Sequence, residues 1–335
     1  MLHFQRITAQ LLCSGALIAL ATLATLSTTA LAQSAASYPN KPVRVILPYA
    51  PGGSTTAVTR IFTQKMSEVW GHTVILENQG GGNTIIGSNA MARAAPDGYT
   101  LLTVTSTHVI NPWLQPKLPY DTLKDFAAIS TLTRSDYMLT AYPAFPPNNF
   151  KEFMAYAKAN PGKINSASVG LGTVQHLVNE LLMEATGIQI TVVPYKGGGP
   201  ATADLVAGVV QVSFNNLVNF ASHVKAGKLK GIAISGDRRN PVLPDVPTFA
   251  ESGLKGYVAN NWFAMLAPAT APKDIITKVH AEIGKAQATK EIQTMLTNLG
   301  VDPFPSSIAE TEALIRTDLA RYGKIIKEKN IQALD

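Results

Sequence analysis

Residues 48–56, Pro48-Tyr49-Ala50-Pro51-Gly52-Gly53-Ser54-Thr55-Thr56, form a glycine- and hydroxyl-rich turn between two patterned segments. A β-branched run, Val43 to Leu47, enters it, and an amphipathic pattern, Val58 to Val69, leaves it, so the turn joins a strand to a helix. Its glycines let the backbone approach a ligand closely. Ser54 and Thr55 sit where a helix exposes unpaired N–H groups and its positive dipole end, which favours an anion. Similar turns recur at Gly80-Gly81-Gly82-Asn83-Thr84, Gly170-Leu171-Gly172-Thr173 and Lys196-Gly197-Gly198-Gly199-Pro200. One such loop needs no ligand, because Gly and Ser also serve simply to turn a chain and cap a helix. Four of them in alternating strand and helix units predict a shared cleft, since ligands of open α/β sheets sit beyond the carboxyl ends of the strands.

The chain begins as an export signal: His3 and Arg6, an uncharged apolar run from Leu11 to Leu26, and the small-residue site Ala30-Leu31-Ala32 before Gln33. Residues 1–32 are read as a cleaved signal peptide, and the mature protein as periplasmic and free of lipid. Cys13, the only cysteine, lies in that segment, so the mature chain can form no disulfide and do no thiol chemistry. Cleavage removes Arg6 and no acid, taking the formal charge from +6 to +5. The lysines are scattered, with small clusters at Lys225, Lys228, Lys230 and at Lys324, Lys327, Lys329, and no aromatic platform accompanies them. Nucleic acid is not an expected partner.

About 300 mature residues exceed one ordinary core, and two lobes are expected. The first opens β-α-β-α-β: strands Val43 to Leu47, Thr73 to Leu76 and Leu101 to Thr105, with helices Val58 to Val69 and Ile86 to Ala94. Right-handed crossovers make this a parallel sheet. Thr107 to Asp125 reads as irregular. Phe126 to Leu132 and Tyr137 to Ala141 read as two strands joined across Arg134, Ser135 and Asp136, where the chain first crosses between lobes. The alternation repeats as far as Ser235, a stretch punctuated by Pro241, Pro244, Pro247 and Gly253 carries the chain back, and Trp262 to Ala267 is a strand. The final helix, Ile308 to Lys327, puts Leu314, Ile315, Leu319, Tyr322 and Ile326 on one face and should dock on the first lobe. Lobe 1 is thus 38–134 plus 257–335, lobe 2 is 135–256, and two adjacent crossings make a hinge.

Taken together, several motifs resemble the tripartite tricarboxylate transporter receptors, or Bug proteins. They are Tyr38-Pro39-x-Lys41-Pro42, Pro51-Gly52-Gly53, Ala95-Pro96-Asp97-Gly98-Tyr99-Thr100, His108-x-x-Asn111-Pro112, Leu118-Pro119-Tyr120-Asp121, Gly170-x-Gly172-Thr173-x-x-His176-Leu177, Val193-Pro194-Tyr195-Lys196-Gly197 and Pro244-x-Val246-Pro247-Thr248. The resemblance covers essentially the whole mature chain. It implies an α/β type II periplasmic binding-protein fold, with a mainly parallel sheet in each lobe and a ligand cleft between them. It also implies a small carboxylate as ligand, held mainly by backbone N–H groups, hydroxyls and water, and delivery to membrane permease subunits.

Carried over by position, the contacts come from Gly53, Ser54 and Thr55, from Gly82 and Asn83, from Ser106, and from Gly170, Thr173 and His176, with Lys196-Gly197 facing the cleft. Two positions depart from the family, which often has acids where this chain has Thr56 and Asn215. With less negative charge at the pocket, a non-amino mono- or dicarboxylate is expected rather than an amino acid, and Asn215 joins the candidate ligand-binding residues.

An enzyme is the rival class. The chain has no H-E-x-x-H, H-x-H, G-x-S-x-G or Walker lysine, and Gly170-x-Gly172 lacks the third glycine of a dinucleotide fingerprint. No catalytic residue, metal or cofactor is therefore expected, and a monomer is. A receptor that docks on a membrane sensor kinase remains a further alternative.

Overall fold

The computed structural model describes residues 37–115, 117–257, 259–328 and 331; the proposed signal peptide lies outside them. The first sheet grows from strand β1 (Val43–Leu47), whose buried Val and Ile side chains suit a central position. It pairs in parallel with β2 (Val74–Asn78) on one side and β3 (Thr100–Thr105) on the other. The intervening crossovers carry helices α1 (Ser54–Trp70) and α2 (Ile85–Ala92). α1 buries Val58, Ile61, Phe62 and Met66, while Val69, which continues the same spacing, is 57% exposed; the helix stops at Gly71 in the left-handed region, as expected of a helix C-terminus.

Next to β3 lies an antiparallel strand from late in the chain, β9 (Asn260–Pro268), and beside it the long β4 (Phe126–Ala141). Here the structure corrects the sequence reading. The two strands expected at 126–132 and 137–141 are one strand of 16 residues. The polar run Arg134-Ser135-Asp136 looks like a break, but its backbone stays in the ladder with β9, Ser135 opposite Asn261 and Asp136 opposite Asn260. The short β10 (Asp302–Pro303), which the sequence did not signal, pairs on the other edge of this segment.

At Tyr137 β4 changes partners. From there to Ala141 it runs antiparallel to β7 (Val212–Asn216) and β8 (Lys230–Ile234). β7 continues in parallel to β5 (Asn165–Ser168), and β5 to β6 (Thr191–Pro194). Both sheets therefore follow one plan. The first reads β2-β1-β3-β9-β4 and the second β6-β5-β7-β4-β8, and in each the fourth strand runs antiparallel to the three before it.

A second correction concerns 107–125. The stretch read as irregular contains helix α3 (Thr107–Leu114), with Pro112 inside it. α4 (Phe150–Ala159), α5 (Val174–Thr186), α6 (Gly198–Val206) and α7 (Ala221–Lys225) accompany the second sheet. A 3-10 turn, Leu217–Asn219, precedes α7. Helices α8 (Lys273–Ala288) and α9 (Lys290–Asn298) follow the return.

The last helix, α10 (Ile308–Glu328), packs on α3 and β4, as its apolar face predicts. Trp113 lies flat on Gly323, where a Cβ would come within 2.3 Å of the indole, and its Nε1 donates to the Leu319 carbonyl at 2.8 Å. Trp262 of β9 donates to Asp318 Oδ2 at 2.8 Å, and Asp318 is also paired with Arg321 at 3.0 Å. Among the described residues Asp318 is the only Asp, Glu, Lys or Arg that is buried.

Candidate functional site: a neutral polar seam between the two sheets

The turn at Ala50–Gly53 meets the turn at Lys196–Gly199. Ala50 N–H donates to the Lys196 carbonyl at 3.2 Å. A Cβ on Gly53 would stand 3.3 Å from Gly198 N, and one on Gly199 would stand 2.5 Å from the Pro51 carbonyl oxygen, so this approach requires bare glycine. These glycines begin helices. Gly53 is the N-cap of α1 and Gly197 the N-cap of α6; neither helix start has a side-chain cap or an acid in its first turn. Two positive helix ends are thus brought together with no negative side chain in either first turn, an arrangement that an anion between them would relieve.

A second contact across the seam joins Asn83 and Gly170, where a Cβ on Gly170 (φ 129) would lie 3.2 Å from Asn83 Oδ1. Asn83 and Thr84 both have positive φ, 52° and 74°. For a β-branched residue that is a strained conformation, of the kind found at functional sites, and costs about 1–3 kcal/mol. Asn111 holds it in place: its Nδ2 donates to the Asn83 carbonyl and to Thr84 Oγ1, both at 3.0 Å, while Asn83 Nδ2 donates to Asn111 Oδ1 at 2.9 Å. The sequence reading quoted Asn111 only as part of a motif. Its role as the support of this turn depends on contacts that no local pattern signals.

The remaining candidates divide by how their polar atoms are used. Ser54 and Thr55 are buried in the first turn of α1. Gly82 is exposed beside Asn83. Ser106 is fully buried, and both its N–H (3.2 Å) and its hydroxyl (2.5 Å) donate to Asn261 Oδ1. Thr173 caps α5: its hydroxyl donates to the Gly170 carbonyl at 2.7 Å and accepts from His176 N at 3.3 Å. His176 Nδ1 accepts from Gly172 N–H at 3.1 Å, and its Nε2 lies 3.3 Å from Glu180. Thr56, one of the two departures, accepts from Asn78 Nδ2 at 3.2 Å.

Asn215 heads a cluster that the sequence reading otherwise missed. Its Oδ1 accepts from Gln175 Nε2 (3.2 Å), Asn219 Nδ2 (3.2 Å) and Asn216 N–H (2.7 Å). Asn216 Oδ1 in turn accepts from Ser135 Oγ of β4 at 2.6 Å. Asn219 leads back to the first contact, since a Cβ on Gly198 would lie 2.8 Å from its Nδ2. A path of contacts therefore runs from Gly53 through Gly198, Asn219 and Asn215 to Gln175 on α5, whose N-terminal loop holds Gly170 against Asn83. The one available signal for Gln175 was a polar residue in the first turn of α5 among Val174, Leu177 and Val178.

An open groove of about 480 Å³ adjoins the path, with Gly53, Ser54, Ala57, Thr202, Val218 and Asn219 among its walls. No described group of His, Cys, Asp or Glu has the arrangement to hold a metal ion. Among the described residues no helix is long and apolar enough to cross a membrane.

Two titrations stand apart from the seam. His108, stacked on Tyr120 with centroids 6.0 Å apart and edge-on to Phe126 at 4.9 Å, is pushed down to about 4 by burial. Asp136, where β4 changes sheets, is pushed up to about 6 by burial and by the charge of Asp302.

The profile of the tripartite tricarboxylate transporter family receptor matches residues 58–331. The chain belongs to this family. It is 33% identical over 297 residues to protein BugT of Bordetella pertussis, covering 88% of this chain and 91% of that protein. Among solved structures, R. palustris Rpa4515 with adipate superposes with a TM-score of 0.86 at 28% identity, over 89% of this chain and 100% of that one. MatC from Rhodopseudomonas palustris with bound malate gives 0.82 at 32% identity, over 86% and 100%. The fold is that of the periplasmic binding proteins, and the family and these neighbours are binding proteins rather than enzymes.

Proposed function

We propose that this protein is a periplasmic receptor that captures a small carboxylate between its two sheets and delivers it, unchanged, to the membrane subunits of a tripartite tricarboxylate transporter. The observation that carries the reading is the meeting of the α1 and α6 N-termini at Gly53 and Gly198, with no acid in either first turn. The adipate and malate held by two structural relatives agree with it. Gly53, Ser54, Thr55, Gly82 and Asn83 face the ligand from one side; Gly170, Thr173, His176 and Asn215 face it from the other, and Ser106 backs the site.

The halves, 38–134 with 257–335 and 135–256, act as lobes that close about the paired crossings at Ser135/Asn261 and Asp136/Asn260. Thr56 and Asn215 leave an α-ammonium without a carboxylate partner, which favours non-amino acids. Native mass spectrometry of the protein purified without refolding should show a retained organic acid. Small-angle scattering should show a smaller radius once that acid is added back to stripped protein. A bound base or neutral metabolite, or turnover of the acid, would refute the reading.

A further inference from the structure

Three buried amides of the second half have atoms with no hydrogen-bond partner. They are Gln175 Oε1, Asn215 Nδ2 and Asn216 Nδ2, on residues that are 7%, 0% and 0% exposed. A buried polar atom left unpaired is costly, so three open atoms on residues hydrogen-bonded to one another point to a place built to be completed. They belong to one connected group: Gln175 Nε2 and Asn216 N–H both donate to Asn215 Oδ1, and Ser135 Oγ donates to Asn216 Oδ1. The open atoms are of both kinds, an acceptor on Gln175 and donors on Asn215 and Asn216.

That inventory discriminates among ligand ends. A carboxylate offers acceptors only and leaves Gln175 Oε1 unmet. An ammonium offers donors only and leaves both asparagine Nδ2 groups unmet. A primary amide offers both. Charge points the same way, because Gln175, Asn215, Asn216, Asn219 and Ser135, the members of the cluster, are all neutral.

We infer that Gln175, Asn215 and Asn216 form a distal subsite for an uncharged donor–acceptor group, so that the preferred ligand is a monocarboxylate ending in an amide or a similar neutral polar group. This rests on the carboxylate reading above, with the carboxylate at the helix ends and the neutral group at the amides. A site built to hydrogen-bond such a group rejects close analogues that cannot complete it.

The test is calorimetric titration with matched acids that differ only at the far end: succinate, succinamate and 4-aminobutyrate, and the same three ends on five- and six-carbon chains. At whichever length binds most tightly, the amide should bind at least tenfold more tightly than either the dicarboxylate or the amino acid. A dicarboxylate or amino acid within tenfold of the amide overturns the inference and leaves the carboxylate reading intact. So does failure of all nine probes while another carboxylate binds. Failure of every carboxylate overturns the broader reading as well.

Asn215→Asp should raise binding of the amino-ended acid at least tenfold relative to the amide, with folding checked by thermal melt. Gln175→Met, which keeps side-chain length and removes the acceptor, should erase the tenfold preference for amide over dicarboxylate; it decides the matter should Asn215→Asp not fold. An unchanged preference in the folded variants overturns the assignment.

Discussion

The two sheets share a strand plan and differ in how their buried amides are gathered. In the first half some of the buried polar groups pair with one another, while others, Thr59 Oγ1, Asn83 Oδ1 and Thr103 Oγ1 among them, stay open. Ser106 gives both donors to Asn261, Tyr49 is hydrogen-bonded to Thr105 at 2.7 Å, and Asn111 ties the Asn83–Thr84 turn. In the second half Gln175, Asn215 and Asn216 keep atoms open. One strand topology thus carries the Asn83–Asn111 pair on one side and a connected group of three open amides on the other.

The largest expected effect concerns the first half alone. His108 has a folded pKa of about 4 against an ordinary 6.5, so the unfolded chain binds more protons between those values. The stability this confers is complete above pH 6.5 and is lost as pH falls to 4, by about 3 kcal/mol over that range. Denaturant titrations of wild type and His108→Phe at pH 7 and pH 4 should show the variant losing less stability by that margin. Equal losses would mean that burial does not hold His108 neutral.

Next comes the contact between the halves. Gly199→Ala places a methyl 2.5 Å from the Pro51 carbonyl oxygen, so the turns cannot meet as they do here. Affinity for the retained ligand should fall about a hundredfold, or about 2.7 kcal/mol, with the melting temperature little changed. Asn111→Ala should follow. It removes support from a turn with two residues at positive φ and should lower stability by about 2 kcal/mol while weakening binding. A stable Asn111→Ala with full affinity would show that the strained turn supports itself.

The smallest effect is at Thr173, whose hydroxyl is engaged by Gly170 and His176. Thr173→Ala should cost about 1 kcal/mol of stability, as expected for a helix cap. A binding loss much larger than the loss of stability would place the hydroxyl on the ligand instead.

Much of this plan was legible because glycine and β-branched residues carry local information. The turn at 48–56, the parallel β-α-β start and the docking face of the last helix follow from spacing alone. The continuity of β4 did not, because a polar run such as Arg134-Ser135-Asp136 reads as a turn unless its neighbours β9 and β10 are known to supply the ladder. Helix α3 was hidden by Pro112, normally a helix breaker. At the site, glycine positions were readable from sequence, but the use of each hydroxyl or amide was not. Ser106 and Thr173 look like ligand groups and are hydrogen-bonded within the protein. Gln175 looks like a helix-surface residue and is buried with an open acceptor.

The central claim is that the meeting helix ends hold a carboxylate. The most direct measurement is a calorimetric titration of stripped, folded protein with a panel of mono-, di- and tricarboxylates and with the corresponding neutral amides and esters. The account predicts that at least one acid binds at micromolar affinity or tighter, about −8 kcal/mol or better, and that its fully neutral counterpart does not. No heat from any acid, or equal affinity for the acid and its neutral counterpart, would contradict it.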